Sequence, residues 1–436
     1  MSSSSDLAAL VSATDPRKLL PTRLSEENAQ LPARVELHDA FALGESLLLL
    51  LVGSGDARYV APVVTTETSL KRARPGDGAA TALIDVLRAG GAVDAPAFLV
   101  QVFGDVAVLT GERPMLVDQT HESVVVADSA VVKWMVKVEP TPAPTLVAHL
   151  QAVGFTQMPR PWGFVSWGID EPVVLAAVTD LLPDASDGWS WCVADVGSYG
   201  RGDLAQDEAL KPIATLGRLI GQLHLALATP SEYFAEPRHV VGGDEITAWS
   251  RQAHGLLAEA LDLVAGDEGK RLRERAGQIA AAIDEASQAL STPTIPVHGD
   301  LHVGQILRWQ GGYAVNDFDG NPVLPVAERL RPQPAARDVA GMVQSLDHVG
   351  RVVIRRVDGV DADLVHEWIV AAQHAFISSY KWSLADAGMS DLLDERLLLP
   401  FRVEQECREY LYAEKHLPRW RYVPDAAIQA LFPSPA

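Results

Sequence analysis

Apolar residues along this chain keep two different periods. Up to Leu182 they come as short runs bounded by Gly and Asp turns, the pattern of buried or half-buried strands. Arg34–Leu37, Ser46–Val52 and Tyr59–Val64 are predicted strands, and Thr81–Arg88 is a predicted short helix. Ser123–Asp128 and Ala130–Val138 read as a hairpin, Pro144–Val153 as a helix and Val173–Val178 as another buried strand. Beyond Leu182 the period becomes helical. Leu216, Leu219, Ile220, Leu223 and Leu227 share one face, and Ala248–Val264 and Arg271–Leu290 continue as amphipathic helices. Short strands are predicted at Gln305–Trp309 and Tyr313–Asn316, around the turn Gln310-Gly311-Gly312. Helices follow over Asp338–His348, Ala362–Leu384 and Pro400–Lys415. The order predicts an α+β chain of two lobes, preceded by an extra N-terminal module.

Composition narrows the setting. A chain of 436 residues exceeds one compact core. With 48% hydrophobic and 21% charged residues it reads as globular and soluble. The longest aliphatic run, Leu47–Val52, is too short to span a bilayer. A net charge of −21 repels nucleic acid and anionic membranes, so neither is an expected partner. Two cysteines, Cys192 and Cys407, suit a reducing cytoplasm, and Met1–Asp6 has no secretory pattern. A cytoplasmic monomer is expected.

The candidate chemistry lies in two acidic turns. Asp300 follows Val297-His298-Gly299, where glycine permits a sharp turn that projects the next carboxylate. Asp317, 17 residues on, follows the second hairpin strand. One aspartate can take a proton from a hydroxyl while the other holds a divalent cation, the division of labour in kinase-type phosphoryl transfer. Gln305 offers an amide oxygen to the same hard cation, and Asp319 is a second ligand or an acceptor behind it. His298 and His302 are read as bonding the loop backbone. Lys133, at the end of Ala130-Val131-Val132, is the candidate cation for nucleotide phosphates, with Lys137 its competitor on the same strand face. Neither a Walker A sequence nor a G-x-G-x-x-G is present. Phosphates are expected instead at the turn Gln119–Ser123, with Ser123 donating. Arg201-Gly202-Asp203 is read as a loop ion pair, and Asp187–Trp191 as core packing.

These motifs resemble the aminoglycoside-phosphotransferase-like kinases, and within them the maltokinase branch. The matching segments are Asp118–Ser123 with the Lys133 strand, Asp187–Trp191, Leu216-Gly217-Arg218 with Leu223–Leu227, His298–Gln305, Asp317–Pro322 and Arg337–Met342. The resemblance implies a bilobal eukaryotic-kinase-like fold with an N-terminal cap. The implied division is a cap over 1–108, a nucleotide-binding segment and hinge over 109–182, and a helical lobe with the catalytic and sugar sites over 183–436. It implies ATP and Mg²⁺, with Asp300 as catalytic base, Gln305 and Asp317 as metal ligands and Lys133 on the nucleotide. Val174–Val178 and Thr179–Leu182 become the hinge, with Val178, Asp180 and Leu182 at the adenine. The chain departs from the family in one place here: the helix after the Lys133 strand carries no glutamate to pair with that lysine.

The second departure concerns the acceptor. Maltokinases end in an E-K-A-x-Y-E-L-x-Y-E pattern and an R-P-x-W segment. Here Gln405 stands for the lysine, Arg408 for the first tyrosine and Leu417 for the arginine, while Glu404, Glu409, Tyr412, Pro418 and Trp420 match. A site that loses one cation and keeps carboxylates favours a positively charged sugar. This ending resembles the glucosamine kinases, and it implies an acceptor set of Asp300, His302, Gln405, Glu409, Tyr412 and Trp420. Phosphorylation of an amino sugar, glucosamine to glucosamine 6-phosphate, is the leading expectation. A maltokinase, an aminoglycoside-type kinase and a non-catalytic scaffold are the alternatives.

Overall fold

The computed structural model describes residues 4–21, 31–91, 95–115 and 122–433. The expected phosphate turn at Gln119–His121, and Asp118 before it, lie outside them. The chain forms two compact units, Met1–Pro144 with Pro159–Pro183, and Thr145–Met158 with Asp184–Ala436.

In the first unit, sequence neighbours pair into two antiparallel sheets. Helix α1 (Ser4–Ala13) precedes β1 (Glu36–Ala42), β2 (Leu47–Ser54), β3 (Ala57–Thr65) and β4 (Leu70–Arg72), which pair in chain order. The β2–β3 connection is the dipeptide Gly55-Asp56, in which Gly55 takes φ +60°, as a two-residue hairpin requires. β2 is buried on both faces. Leu50 and Val52 pack with Val11, Leu19 and Leu20, while α2 (Ala79–Arg88) lies against β2 and β3. That double cover is why the run reads as continuous aliphatic sequence rather than alternating.

The second sheet has six strands in the order β5-β9-β10-β8-β7-β6. They are β5 (Phe98–Val102), β6 (Glu112–Pro114), β7 (Glu122–Val126), β8 (Ala130–Trp134), β9 (Pro161–Trp167) and β10 (Val173–Asp180). The predicted β7–β8 hairpin is present. Its turn places Ala127 and Asp128 at φ +51° and +49°. β8 stops at Trp134, four residues short of the expectation, because the chain then turns toward the first sheet. There Lys137 bridges Tyr59, and Val138 N–H donates to Arg58 O at 3.0 Å. Lys137 therefore does not extend the Lys133 face; its ammonium pairs with Glu139. β5, inside the segment expected as a cap, forms an edge of the six-stranded sheet.

Arg72 ties the two sheets together. Its guanidinium donates to Leu19 O at 2.7 Å and Val60 O at 3.0 Å, and Nε donates to Glu122 at 2.8 Å. Burial depresses the Arg72 pKa, and the charge of Glu122 opposes that shift.

The second unit is mainly helical. α3 (Ala143–Ala152) leads into it, followed by α4 (Gly188–Gly200), α5 (Gln206–Leu227), α6 (Gly243–Leu263) and α7 (Gly266–Asp284). α8 (Val326–Arg329), α9 (Ala335–Arg356), α10 (Ala362–Asp386), α11 (Leu398–His416) and α12 (Tyr422–Leu431) complete it. Two small hairpins are inserted, β11 (His239–Gly242) with β12 (Ser291–Thr294) and β13 (Ile306–Trp309) with β14 (Gly312–Val315). The predicted apolar stripe of α5 is buried, and α10 packs on the same helix. The approach is close enough that a Cβ on Gly217 would meet Phe376 O at 2.3 Å.

Two helix ends and one whole helix differ from the sequence expectation. α7 ends at Asp284, and Leu290 is 83% exposed, because the chain leaves the helix for β12. α9 runs eight residues past His348. α4 was not predicted at all. Its glycines lower helix propensity, yet Gly188 is required there, since a Cβ would overlap Val303 O.

Removing the Arg72 charge leaves two carbonyls and a partly buried carboxylate without their donor. Arg72→Met is expected to lower unfolding free energy by about 2 kcal/mol, read as a drop in the urea midpoint. An unchanged midpoint would mean that the pair only balances its own desolvation.

Candidate active site

Two turns of the second unit meet at glycines. Gly299 takes φ +81°, and a Cβ on it would lie 3.6 Å from Gly320 Cα. Asp317, on the facing turn, has φ +65°, a conformation that Asp tolerates better than most residues.

The first turn hangs on Asp338, 2% exposed near the start of α9. Its carboxylate accepts His298 N–H at 2.8 Å and Gly299 N–H at 2.9 Å. It also accepts His224 Nε2–H at 3.1 Å, and His224 Nδ1 meets the Tyr380 hydroxyl at 2.7 Å. Burial alone would raise the Asp338 pKa, but the hydrogen bond and charge of His224, then His298 and Gly299, hold it below the usual carboxylate range. His298 spans both turns. Its Nε2–H donates to Asn316 O at 3.0 Å, and its ring lies 5.2 Å from Phe318. The backbone role expected for His298 is the one found.

Asp300 is treated in the opposite way. Solvent still touches it, but protein atoms crowd its carboxyl and raise its pKa to about 7. His298 opposes this shift, and the charges of Asp317, Glu409 and Asp338 add to it. A carboxylate that titrates near neutrality is a competent proton acceptor.

The hairpin brings Gln305 and Asp317 together. Asn316 N–H donates to Gln305 O at 2.9 Å, continuing the β13–β14 ladder by one pair. An amide oxygen and a carboxylate at a hairpin mouth are hard donors of low number. They fit a Mg²⁺ ion that keeps water and phosphate oxygens. Asp319 is on the same turn. Among the described residues no three His, Cys, Asp or Glu side chains form a metal cage.

His302 Nδ1 accepts Gly304 N–H at 3.1 Å. Burial lowers the His302 pKa to about 4, with His298 adding and Glu409 and Asp317 opposing, so the ring is neutral with its proton on Nε2. Gln305 Nε2, at 3.3 Å, is another donor and does not satisfy that proton. The His302 Nε2–H thus lies against the Gln305 amide.

On α11, Glu409 accepts Gln405 Nε2–H at 3.1 Å and Trp420 Nε1–H at 2.9 Å. Both donors are neutral, and among the described residues Glu409 has no ion pair. Trp420 lies 5.7 Å from Trp189 of α4, giving the Asp187–Trp191 segment a contact at this site besides the core position of Trp191. Tyr412 is not brought in: it is 46% exposed and packs on His416. Arg408, at the family's tyrosine position, pairs with buried Glu404, which also takes Arg337 at 3.0 Å.

In the first unit, Ser123 and Lys133 are direct cross-strand partners, with Ala177 beside Lys133, so the three share one sheet face. Val178 pairs with Val132 and Asp180 with Ala130 on the other face. Strand alternation therefore removes both side chains from the Lys133 face, a correction to the expected adenine contacts. The Asp180 carboxylate is engaged by Trp162 Nε1 at 2.6 Å and Arg160 Nη2 at 3.0 Å. Leu182 is buried, just before the chain passes into the second unit. Arg201 and Asp203 form the expected loop ion pair at 3.0 Å.

Sequence reasoning missed the supports: Asp338 as an anchor, His224, Tyr380, Trp189 and His348. The available signal was polar residues set among the apolar positions of α9, Asp338, Gln344, Asp347 and His348.

A desolvated aspartate beside an amide-and-carboxylate hairpin, on an α+β fold, defines a kinase-type phosphotransferase. No family model matches the chain. A glucosamine kinase from Streptacidiphilus jiangxiensis is 46% identical over 432 residues, covering 97% of this chain and 97% of that one. A glucosamine kinase from Mycolicibacterium smegmatis is 38% identical over 402 residues, 90% of this chain and 97% of that one. A solved glucosamine kinase, crystal form B, superposes with TM-score 0.86 at 44% identity, over 98% of this chain and 99% of that one. Another, in complex with glucosamine, ADP and inorganic phosphate, gives TM-score 0.83 at 44% identity over the same shares, 98% and 99%. This chain belongs to the glucosamine kinase family.

The unfolded Asp300 carboxyl titrates near 3.8 and the folded one near 7. Ionising it therefore costs the fold nothing at acid pH and the full desolvation penalty above its folded value. Asp300→Asn is expected to raise the ligand-free melting temperature at about pH 8, a gain that vanishes toward about pH 4. A gain of equal size at both pH values would show that the carboxylate charge is not the source.

Proposed function

We propose that this chain is an ATP- and Mg²⁺-dependent glucosamine kinase that makes glucosamine 6-phosphate. The observation that carries this reading is Glu409. It is held by two neutral donors, it forms no ion pair among the described residues, and its charge acts on Asp300. The ammonium of glucosamine supplies that missing counter-ion through a charge-assisted hydrogen bond. Membership of the glucosamine kinase family supports the same acceptor.

In this reading Asp300 orients the 6-hydroxyl and accepts its proton. The hydroxyl oxygen bonds to the terminal phosphorus of ATP as the bond to the bridging oxygen breaks, and ADP leaves. Gln305 and Asp317 hold Mg²⁺, with Asp319 as a second ligand or an acceptor behind it. The bound ion offsets phosphate charge. His302 donates its Nε2–H to the sugar, Gln405 steadies Glu409, and the Trp420 ring covers an apolar sugar face. Tyr412, exposed against His416, is left out of the acceptor set. Lys133 and Ser123 take the nucleotide phosphates from one sheet face. Adenine is met by backbone of Thr179–Leu182 rather than by the Val178 and Asp180 side chains. We assign residues 1–108 to a cap whose last strand joins the nucleotide sheet, 109–182 to nucleotide binding and 183–436 to catalysis and acceptor binding.

A cytoplasmic monomer suits two cysteines that are both buried and unpaired. Among the described residues no helix is long and apolar enough to cross a membrane.

The test is coupled ADP release with ATP and Mg²⁺ on glucosamine, glucose, maltose and kanamycin. Turnover on glucosamine is expected, abolished in Asp300→Asn. Turnover of maltose or glucose at least equal to glucosamine would overturn the reading. Glu409→Gln keeps the shape but removes the charge, and is expected to cut the preference for glucosamine over glucose by about tenfold or more. The base must be ionised to act, so kcat/KM should fall as pH drops below about 7; a profile flat down to about pH 5.5 would remove Asp300 from that role.

A further inference from the structure

Behind the acceptor site lies an ion pair that the chemistry above does not use. His348 on α9 is 5% exposed and Glu406 on α11 is 0% exposed. His348 Nε2–H donates to Glu406 Oε1 at 2.8 Å, while Glu406 Oε2 is buried with no protein partner. Burial alone would lower the His348 pKa, but the charge and hydrogen bond of Glu406 raise it to about 9. Burial also pushes up the Glu406 carboxyl, so its charge depends on His348.

His348 also touches the acceptor machinery. Its ring lies 6.2 Å from Trp420 at 87°, an edge-to-face contact. On its other sides Trp420 meets Trp189 at 5.7 Å and the Arg356 guanidinium at 5.9 Å. Glu406 and Glu409 are three residues apart on α11, so they project from neighbouring positions of one helix. Glu406 grips His348, His348 abuts the Trp420 ring, and Trp420 Nε1–H grips Glu409 at 2.9 Å. Three contacts link the four side chains in a row across α9, α11 and the short turn Pro418–Trp420, and α11 carries both ends of the row.

We propose that His348, locked by Glu406, is a positioning residue for the amino-sugar site: its ring holds the Trp420 indole, and through it the Glu409 carboxylate, ready for the acceptor. This rests on glucosamine being that acceptor. The physical reason is preorganisation. Trp420 sits on a one-turn segment whose Pro418 and Arg419 are exposed, so its ring is ordered by the side chains around it. A ring already set does not lose rotamer freedom when the sugar binds.

The test is a double-mutant cycle between His348 and Trp420, read as KM for glucosamine and KM for ATP separately. His348→Gln keeps a donor for Glu406 but removes the ring and the charge. It is expected to raise KM for glucosamine about tenfold and leave KM for ATP within about twofold. Trp420→Phe is expected to do the same, and the double variant to be no worse than the worse single variant. Multiplying effects would overturn the route through Trp420, and equal changes in both KM values would reduce His348 to a structural residue. If His348→Gln does not fold, His348→Leu with Glu406→Leu replaces the buried pair by apolar volume, an exchange that folded proteins tolerate. That variant should also show the raised KM for glucosamine, and a normal value would overturn the proposal. The wild type run alongside separates the two readings. No wild-type turnover on glucosamine would overturn the assigned acceptor, whereas normal wild-type turnover with unchanged KM in the variants would overturn only the positioning role.

Discussion

One buried carboxylate organises the turn that carries Asp300. Asp338 enters the protein interior at the start of α9 and is satisfied by two backbone N–H groups and one imidazole. Those two N–H groups belong to His298 and Gly299, so the bonds that solve the desolvation problem of Asp338 also dictate where Asp300 begins. A buried anion can be stabilised only by donors directed at it. The turn, α9 and α5 are therefore locked in one geometry through Asp338, His224 and Tyr380. His298 carries that geometry across to Asn316, next to Asp317.

The acidic groups of the second unit show how differently one residue type can be used. Asp338 is surrounded by donors and stays ionised. Asp300 is crowded without matching donors, and its pKa rises to about 7. Glu406 is fully buried, and burial pushes its carboxyl up while the charge and hydrogen bond of His348 oppose that shift. Glu404 is clamped by Arg337 and Arg408. Glu409 alone in this group is held by neutral side-chain donors, the Gln405 amide and the Trp420 indole. The chain's charge of −21 says nothing about these differences, because each is set within a few ångströms of the group.

Much of the secondary structure was legible, for a simple reason. The stripe Leu216–Leu227 and the run Leu47–Val52 bury what their spacing says they should. The hairpin β13–β14 and its two acidic turns were also readable, because a Gly-Gly turn between two short, largely apolar runs leaves few other structures. The strand Ala130–Val138 was overextended because its C-terminal half is extended too, but paired with another sheet. α4 was invisible because its glycines serve close packing rather than helix propensity.

The sequence by itself singled out the candidate residues: Asp300, Gln305 and Asp317 are marked by local spacing, and local spacing is fixed by the chain. It also carried the Gln405–Trp420 ending that points to a charged sugar. Only the tertiary structure decided what those groups are like. That Asp338 anchors the Asp300 turn, that Val178 and Asp180 face away from Lys133, that Tyr412 points outward and that His348 abuts Trp420 all depend on contacts between residues far apart in the chain. Desolvation and charge pairing fall off over a few ångströms, so they follow packing, and packing is not a local property of sequence.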